Sequence, residues 1–464
     1  MAYDLSQLKL EGIEIKNIIN CQISQITGEH GELSLTGYVE NDKFEEAQSL
    51  QPLRLYSLEE SEENIFCGVL TAISEEARGQ LLMLHIEAKG YTYLLDLQKK
   101  YRTFQDISKT YSEILHQILD EYEGADCIVA QETGAIGNLE IQYQETDWNF
   151  LKRIYSKLYI PLAGEIRIPA IRIYAGVPAL NMNQQDYELT EMSLDFKLCS
   201  SLKEIGYELS ESDVLDCLIK TDKTCGIFTS FYFCELFMVV AGVKAYMHQG
   251  VMQIELNLRK KEGIVAVPQF PMALVGLALE GSVLEVKGES VRMHFFIDDG
   301  YPVADVYWFT YSTPSASPDG SGWYYMPEIG DRLRVYFPTK YLKDALAISA
   351  VSSYKGTGEP DRMADPSSKY LRSASGQEMN MGGNGIYLAS AGKAASLMIG
   401  TDGGIQVKGN VVEITADESI DINAETNIEF HSSTGAIYRC EQGGCMELDI
   451  SGNLKISGSK LNID

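Results

Sequence analysis

Acidic pairs are the residues of this sequence that could most directly catalyse a reaction. The candidates are Asp298/Asp299, Asp361/Asp365 and Asp417/Glu418. Two neighbouring carboxyl groups can act as the general acid and base of a hydrolase. All three pairs lie in stretches typical of turns or linkers, and a chain with 66 acidic residues contains such pairs by chance. We therefore interpret them as solvated turn residues and predict that the protein is not an enzyme.

The histidines and glycines form no pattern typical of a metal or cofactor site. The six histidines show no H-x-x-x-H or Cys-His ligand spacing, and the sequence has no G-x-S-x-G, P-loop or Rossmann motif. His431 could bind a metal if three copies met on a symmetry axis, but its alternation with an inward Phe430 points it outward. The sequence predicts no cofactor and no metal.

The cysteines indicate assembly in a reducing compartment. Nine cysteines occur without a C-x-x-C motif, which favours reduced and mostly buried thiols in the cytoplasm. Cys440 and Cys445 flank a Gly443-Gly444 turn and could bridge under oxidising conditions, which the sequence leaves open.

Charge and length limit the class of protein. The net charge of −28 disfavours nucleic acid and anionic lipid as partners. Met1–Leu10 lacks the pattern of an export signal, and Ile227–Val243 is too short and too interrupted to span a membrane. A chain of 464 residues is expected to form several domains.

Period-two apolar patterns predict a mainly β fold with a few helices. Strands are expected from Leu8 to Ala88 and again at 166–174 and 187–207, with helices near 105–123 and 147–159. These elements define a first domain, residues 1–262. Residues 263–355 contain about five strands separated by turns, enough for a small barrel of the oligosaccharide-binding (OB) type. Residues 356–375 are polar and are expected to be a linker.

The segment 376–464 carries a short repeat. Apolar pairs recur every seven or eight residues between Leu397 and Ile428. Such strands are too short to bury their apolar pairs alone, so we predict an intertwined triple-stranded β-helix or prism in a homotrimer. Its predicted core residues are Ile405, Val407, Val412, Ile414, Ile420, Ile422, Ile428 and Phe430. An ordinary β-meander with chance spacing is the alternative.

Three local segments carry a family resemblance. Tyr101–Gln105 leads into the first predicted helix. The first motif after it consists of Tyr143, Glu145, Thr146, Asp147, Trp148, Phe150 and Leu151. The second motif consists of Pro327, Gly330 and Asp331 before an alternating strand. In this order the segments resemble the VgrG family of spike proteins from contractile injection machines, and the fused hub and spike of contractile phage tails. Two features depart from the family: the stretch before Trp323 lacks the family's usual basic, tryptophan-rich sequence, and the prism is short.

The resemblance implies a tail-hub-like first domain with two barrel-like parts, a barrel beneath it and a terminal spike. It also implies a homotrimer at the tip of an inner tube that pierces a target envelope without cleaving any bond. The implied partners are an Hcp-like ring protein of the tube, baseplate proteins, a PAAR-like tip protein and effectors, with the target envelope contacted transiently. The protein would assemble in the cytoplasm and leave the cell as part of a tail-like particle. Leu461, Ile463 and Asp464 would form the surface that docks the tip protein.

Two other functions remain open at this point. The C-terminal segment could belong to a tailspike-like depolymerase, although about 90 residues leave little room for a catalytic groove. A carbohydrate-binding adhesin could instead use the barrel aromatics Trp308, Tyr311, Trp323 and Tyr324.

Overall fold

The structure is a computed structural model of the full chain. It describes residues 3–39, 47–58, 63–78, 81–178, 187–221, 225–233, 236–298, 300, 304, 306–352, 363–440 and 443–460. The chain divides into two compact units, Met1–Lys355 and Gly356–Asp464, each of which is described by itself. None of the described helices has the length and apolar composition needed to cross a bilayer.

The first unit begins with alternating strands and three α-helices, as follows. The strands are β1 (Leu8–Glu11), β2 (Asn17–Ile26), β3 (Glu32–Val39), β4 (Pro52–Ser57), β5 (Asn64–Arg78), β6 (Leu81–Gly90), β7 (Lys99–Phe104), β8 (Asp126–Val129), β9 (Glu140–Thr146), β10 (Leu162–Gly164), β11 (Arg172–Ala175), β12 (Tyr187–Leu194), β13 (Leu215–Thr221), β14 (Ser230–Phe233), β15 (Leu236–His248) and β16 (Val251–Arg259). The helices are α1 (Tyr111–Leu119), α2 (Asp147–Ser156) and α3 (Phe196–Glu204).

A large antiparallel sheet organises these elements. Its order is β1-β4-β5-β6-β3-β2-β15-β16-β13-β12, with β14 paired to β15. Because β15 pairs with β2, the early and late strands share one sheet and one core. The buried side chains alternate along β2, β3 and β16, as period-two strands with one buried face require. The predicted mainly β fold is confirmed.

The two predicted helices are present, and the first is shorter than expected. Helix α1 begins at Tyr111 because Thr110 and Glu113 form a reciprocal capping box. Ile107, predicted inside the helix, lies before this cap with an exposed side chain. Helix α2 begins after the predicted N-cap Thr146, whose hydroxyl accepts the Asn149 N–H at 3.3 Å. Both helices bury their apolar faces in one cluster.

Helix α3 corrects the prediction of a continuous strand over 187–207. The strand β12 ends at Leu194, and Asp195 caps the new helix by accepting the Leu198 N–H at 3.0 Å. Cys199 and Leu202 then become the buried face of a helix. The alternation of apolar and polar residues around Asp195 is typical of a strand, but it spans the N-cap of α3, where the direction of the backbone changes.

A closed five-strand barrel follows in the same unit, as predicted. Its strands are β17 (Ala278–Lys287), β18 (Ser290–Phe295), β19 (Trp308–Tyr311), β20 (Arg332–Tyr336) and β21 (Leu346–Ile348), in the order β17-β18-β19-β21-β20. Leu139 and Ile141 lie in the barrel's own core cluster although they precede it by more than 100 residues. The barrel therefore packs directly against β9.

Asp298 fixes this contact and is not the solvated turn residue that the sequence predicted. Its carboxylate is fully buried and accepts both the backbone N–H and the hydroxyl of Thr103 at 2.6 Å. Gln105 adds a donor to the Met293 carbonyl at 3.1 Å. Its neighbour Asp299 and the predicted Asp361 lie outside the described residues. Asp298 thus ties β7 to the barrel.

The second unit contains two small antiparallel sheets. The first comprises β22 (Lys369–Arg372), β23 (Glu378–Gly382), β24 (Gly385–Ala389), β25 (Ser396–Gly400) and β26 (Ile405–Lys408), and the second β27 (Gly435–Arg439), β28 (Cys445–Asp449) and β29 (Leu454–Ser457). Each strand pairs with its neighbour along the chain, whereas the sequence predicted that other chains would supply these partners. Residues 409–434, all described, contain no strand.

Replacing Asp298 by Asn should weaken the junction between β7 and the barrel. The amide keeps the shape but loses the charge that accepts two short hydrogen bonds, so we expect the free energy of unfolding to fall by about 1–3 kcal/mol. Urea denaturation followed by circular dichroism measures this loss. The exposed Asp417→Asn change is the control and should leave the midpoint within error; equal effects of the two changes would contradict the role of Asp298.

Candidate functional site

The first sequence motif surrounds a buried carboxylate. Asp147 lies in the first turn of α2 and has no exposed surface. Its two oxygens accept bonds from Arg102 at 2.5 Å, Lys100 at 2.7 Å, the Tyr122 hydroxyl at 2.6 Å and Gln142 at 2.9 Å. This set of donors joins α2 to β7, to β9 and to the segment after α1.

A second carboxylate balances the charge of this cluster. Glu121 pairs with both Lys100 and Arg102, so two cations face two anions. Burial opposes protonation of Lys100, but its bonds to Asp147 and Glu121 outweigh this and raise its pKa. A neutral and fully hydrogen-bonded cluster can be buried, whereas a single unpaired charge could not.

The N-cap of α2 is connected to the large sheet. Thr146 and Asn149 both donate to the Asp96 carboxylate, the latter at 3.1 Å. His30, in the turn before β3, contacts Asp96 at 3.1 Å and Thr92 at 2.9 Å. Burial opposes ionisation of Asp96, yet the hydrogen bonds from His30 and Thr146 hold its pKa below the usual value. The motif threonine therefore anchors α2 to the strands behind it.

A β-bulge explains the spacing of the aromatic and the glutamate in this motif. The register between β7 and β9 shifts at Gln144, whose φ of +54° is left-handed. Tyr143 consequently packs beside the barrel core and against Tyr101, with ring centroids 5.4 Å apart. Glu145 instead binds Arg153 of α2 at 2.8 Å. Because of the bulge, Tyr143 contacts the barrel while Glu145 of the same strand contacts α2.

The remaining motif residues are core residues of the fold. Trp148, Phe150 and Leu151 are buried in the cluster that also contains α1. Phe150 stacks on Phe104 with centroids 5.1 Å apart. These side chains hold α2 in place, and because they are buried none of them has access to a substrate.

The second motif forms a turn that enters β20. Gly330 has a φ of +90°, and the carboxylate of Asp331 accepts the Glu328 N–H at 2.9 Å. The backbone N–H of Gly330 donates to Val283 of β17 at 2.8 Å. Pro327 precedes this turn, which closes one end of the barrel.

The first sheet of the second unit has one apolar face. The register places side chains of the same face opposite each other in two rows across the strands. The rows are Leu371, Met379, Leu388, Leu397 and Val407, and Met381, Ile386, Ile399 and Ile405. The second sheet repeats this arrangement with Ala436, Leu448 and Leu454, and with Tyr438, Met446 and Ile456. We call these two surfaces the apolar spike face.

The predicted prism residues are uncovered in a single chain. The exposed fractions of the eight residues from Ile405 to Phe430 run from 44% at Ile428 to 72% at Ile414. Soluble proteins rarely expose so many large apolar side chains within one short segment unless they contact a partner. The predicted tip residues Leu461, Ile463 and Asp464 lie outside the described part of the chain.

The thiols and histidine of this unit form no joint site. Cys445 pairs with Arg439 at the end of the β27–β28 hairpin, Cys440 follows in the turn, and both thiols are free. His431 is exposed and contacts Glu429 at 3.1 Å. Within the described ranges, no group of three or more His, Cys, Asp or Glu side chains is arranged to hold a metal ion.

Several residues that organise the motif were missed by the sequence. Lys100, Arg102 and Tyr122 surround Asp147 but lie 25 to 47 residues before it. One signal was available at Arg102, which belongs to a strand: a guanidinium on the buried face of a strand needs a nearby carboxylate. Asp96 and His30 gave no comparable signal.

Comparison with known proteins agrees with this architecture. Residues 37–157 match the family model of the phage tail baseplate hub (GPD). The E. coli c3393 protein, a component of the type VI secretion system with structural similarity to T4 tail proteins gp27 and gp5, aligns with a TM-score of 0.54 and 11% identity over 75% of this chain and all of that one. A lidded Francisella PdpA-VgrG complex aligns with a TM-score of 0.51 and 8% identity over 87% of this chain and 79% of that one. No curated protein matches the sequence.

These matches support the resemblance to VgrG-type spikes. At 8–11% identity the solved structures are similar in fold, and the family match covers the region that contains both α1 and α2. Residues 37–157 are therefore similar to a phage tail baseplate hub domain, and the chain shares its fold with hub- and spike-like proteins of phage tails and type VI secretion systems.

Replacing Asp147 by Asn should strongly destabilise the first unit. Lys100 and Arg102 would then share only Glu121, and removing one partner of buried charges costs about 3–5 kcal/mol. Glu121→Gln is the matched control: this side chain is one-third exposed, so we expect a loss of about 1 kcal/mol or less. Denaturation midpoints measure both; similar losses would show that the cluster does not depend on Asp147.

Proposed function

We propose that the chain forms a homotrimeric hub and spike at the tip of the inner tube of a contractile, phage-tail-like injection system. There it pierces the target envelope and docks tube and tip proteins without cleaving a bond. We assign residues 1–262 to the hub, 263–355 to the barrel, 356–375 to the linker and 376–464 to the spike. The observation that carries the proposal is the uncovered apolar spike face.

The apolar spike face requires a cover that the described residues of the second unit do not supply. Each aliphatic side chain taken from half exposure to full burial contributes about 1 kcal/mol, so the rows together favour association strongly. A partner with the same two rows at the same spacing would match this face along its whole length. Other copies of the chain are such partners.

Three copies suit the spacing better than a single solenoid. A single-chain coil needs roughly twenty residues or more per turn, while the apolar pairs here recur every seven or eight residues. Three chains around one axis would each contribute one apolar row per level. Residues 409–434 would gain strand partners in this arrangement that they lack in a single chain.

The expected partners and location follow from this role. An Hcp-like tube ring and baseplate proteins would bind the hub, and a PAAR-like protein would cover the tip, with effectors as cargo. The trimer would assemble in the cytoplasm and leave as part of a tail-like particle. The net charge of −28 keeps a large assembly soluble and disfavours adhesion to nucleic acid.

A tailspike-like depolymerase is the alternative function. It requires carboxylates that converge in a groove, but Asp298 is committed to Thr103, and Asp417 and Glu418 lie in an exposed segment without strands. Zymography on capsule and peptidoglycan distinguishes the two: cleared zones would favour the depolymerase.

Charged residues on the apolar spike face should dissociate the trimer. The double change Ile405→Asp and Val407→Asp places two carboxylates in the proposed interface, so we expect a shift from three times 51.6 kDa to the mass of one chain. Sedimentation velocity measures this shift. Gln406→Asp is the matched control because it lies on the opposite face of the same strand and should remain trimeric. A wild-type protein that sediments as one chain at every concentration would refute the spike.

Charges at the end of the spike should abolish binding of a tip protein. Leu461→Asp with Ile463→Asp removes the apolar surface proposed to dock a PAAR-like protein, so we expect loss of capture in a pull-down. Asn462→Asp adds a charge between these two residues and should retain binding. Capture that survives deletion of Asn453–Asp464 would exclude docking at this end.

A further inference from the structure

A thiol and an imidazole meet at the surface of the first unit. The Sγ of Cys127, in β8, lies 3.5 Å from the Nε2 of His116, in α1. His116 is exposed and Cys127 is partly exposed. Of the thiols that the structure describes in the first unit, Cys127 is the only one that is not buried. The pair is therefore open to small molecules from the solvent.

The helix fixes the tautomer of this histidine. Its Nδ1 lies 2.7 Å from the backbone carbonyl oxygen of Ser112, one turn earlier in α1. Because a carbonyl oxygen can only accept, Nδ1 carries the proton of the neutral ring and Nε2 presents its lone pair to the thiol. His116 is thereby oriented as a base for Cys127.

Cys127 needs a base in order to react. Burial raises the pKa of the thiol to about 11, and the charge of Asp126 also raises it while that of Arg172 opposes the shift. At neutral pH only about one such thiol in ten thousand is ionised. A base in contact with the thiol takes the proton while the sulfur attacks, so the reaction does not depend on this small thiolate fraction.

A buried phenol lies close to this thiol. Tyr155 of α2 is fully buried, and its hydroxyl has no hydrogen-bond partner among the described residues. Burial raises the pKa of Tyr155, and the neighbouring Cys127 raises it further, so the phenol keeps its proton. A protonated phenol without an acceptor is a donor that a negative charge on the Cys127 sulfur would satisfy. The surroundings of the sulfur thus include a donor for the charge that develops during attack.

The surface around the pair is acidic. Residues 113–126 contain no lysine or arginine and five acidic residues: Glu113, Asp120, Glu121, Glu123 and Asp126. Glu121 and Asp126 are paired with cations elsewhere in the unit, and the remaining three leave the surface negative. Such a field attracts cations to the thiol and repels anions from it. It favours a reactant that carries amines over one that carries carboxylates.

We propose that Cys127, with His116 as its base, is a modification site that forms a mixed disulfide with a small, positively charged disulfide. The Cys127 sulfur attacks one sulfur of the disulfide, and the thiol proton passes to Nε2 of His116. A new S–S bond forms as that of the small molecule breaks, and the leaving thiolate takes the proton from His116 and departs as a thiol. Cys127 is oxidised and half of the small disulfide is reduced, so no other oxidant is needed. The site lies within one chain and does not depend on the proposed spike.

Mass-spectrometric mapping of the full chain tests this exchange. The protein is exposed briefly to cystamine between pH 5 and pH 9, quenched with acid and digested with pepsin, and the modified fraction of each thiol is measured. We expect the rate at Cys127 to level off once the imidazole is neutral. The exposed Cys440 is the internal reference, and its rate should keep rising with pH as a free thiol ionises.

One substitution separates a base from a neighbour. His116→Gln keeps a polar side chain but removes the base, so modification of Cys127 at pH 7.5 should slow about 10- to 100-fold while that of Cys440 stays the same. Gln117→Ala, at the next position of α1, removes a contact to Lys109 and is the matched control, with no change expected at Cys127. Unchanged thermal unfolding verifies that both variants fold.

The charge of the reactant provides an independent readout. Glutathione disulfide, which is anionic, should modify Cys127 several-fold more slowly than cystamine, and about 0.5 M NaCl should reduce this difference because salt screens the acidic surface. The proposal is wrong if the His116→Gln rate at Cys127 equals that of the wild type. Parallel pH profiles for Cys127 and Cys440 would also overturn it, as would faster reaction with glutathione disulfide than with cystamine.

Discussion

The eight strands of the second unit pair with their neighbours within one chain and leave much of their apolar side-chain surface exposed. The local structure of this unit comes from strand pairing within the chain, whereas its stability depends on contacts that cover the apolar side chains. An isolated sheet of three or five short strands with a bare apolar face is marginal in water, because the buried area that normally offsets chain entropy is missing. Cover for this face is therefore the condition on which an ordered C-terminal unit depends.

The first unit meets the same condition differently. Its large sheet, its helices and its barrel bury their apolar faces against each other, and the charged groups inside are matched. Lys100 and Arg102 face Asp147 and Glu121, while Arg153 faces Glu140 and Glu145. Because these clusters join elements distant in sequence, they specify which strand lies beside which helix.

The sequence predicts most of what is locally encoded. Thr146 and the spacing of Phe150 and Leu151 predict α2. Of the eight predicted prism residues, only Ile405 and Val407 lie on the apolar spike face, because the other six lie in the segment 409–434, which contains no strand. Alternation fails where a cap interrupts it: Asp195 begins α3 although Leu194 and Phe196 continue a strand pattern. Distance in the chain explains the other failures, since nothing near Asp298 indicates that Thr103, 195 residues earlier, binds it.

The buried carboxylate of Asp298 has a mechanical consequence. Turning the barrel relative to β7 would break two 2.6 Å hydrogen bonds to a fully buried carboxylate, and would also pull Ile141 out of the barrel core. Such a junction resists torque. A push or twist delivered to the sheet of β7 and β9 therefore passes into the barrel with little bending between the two.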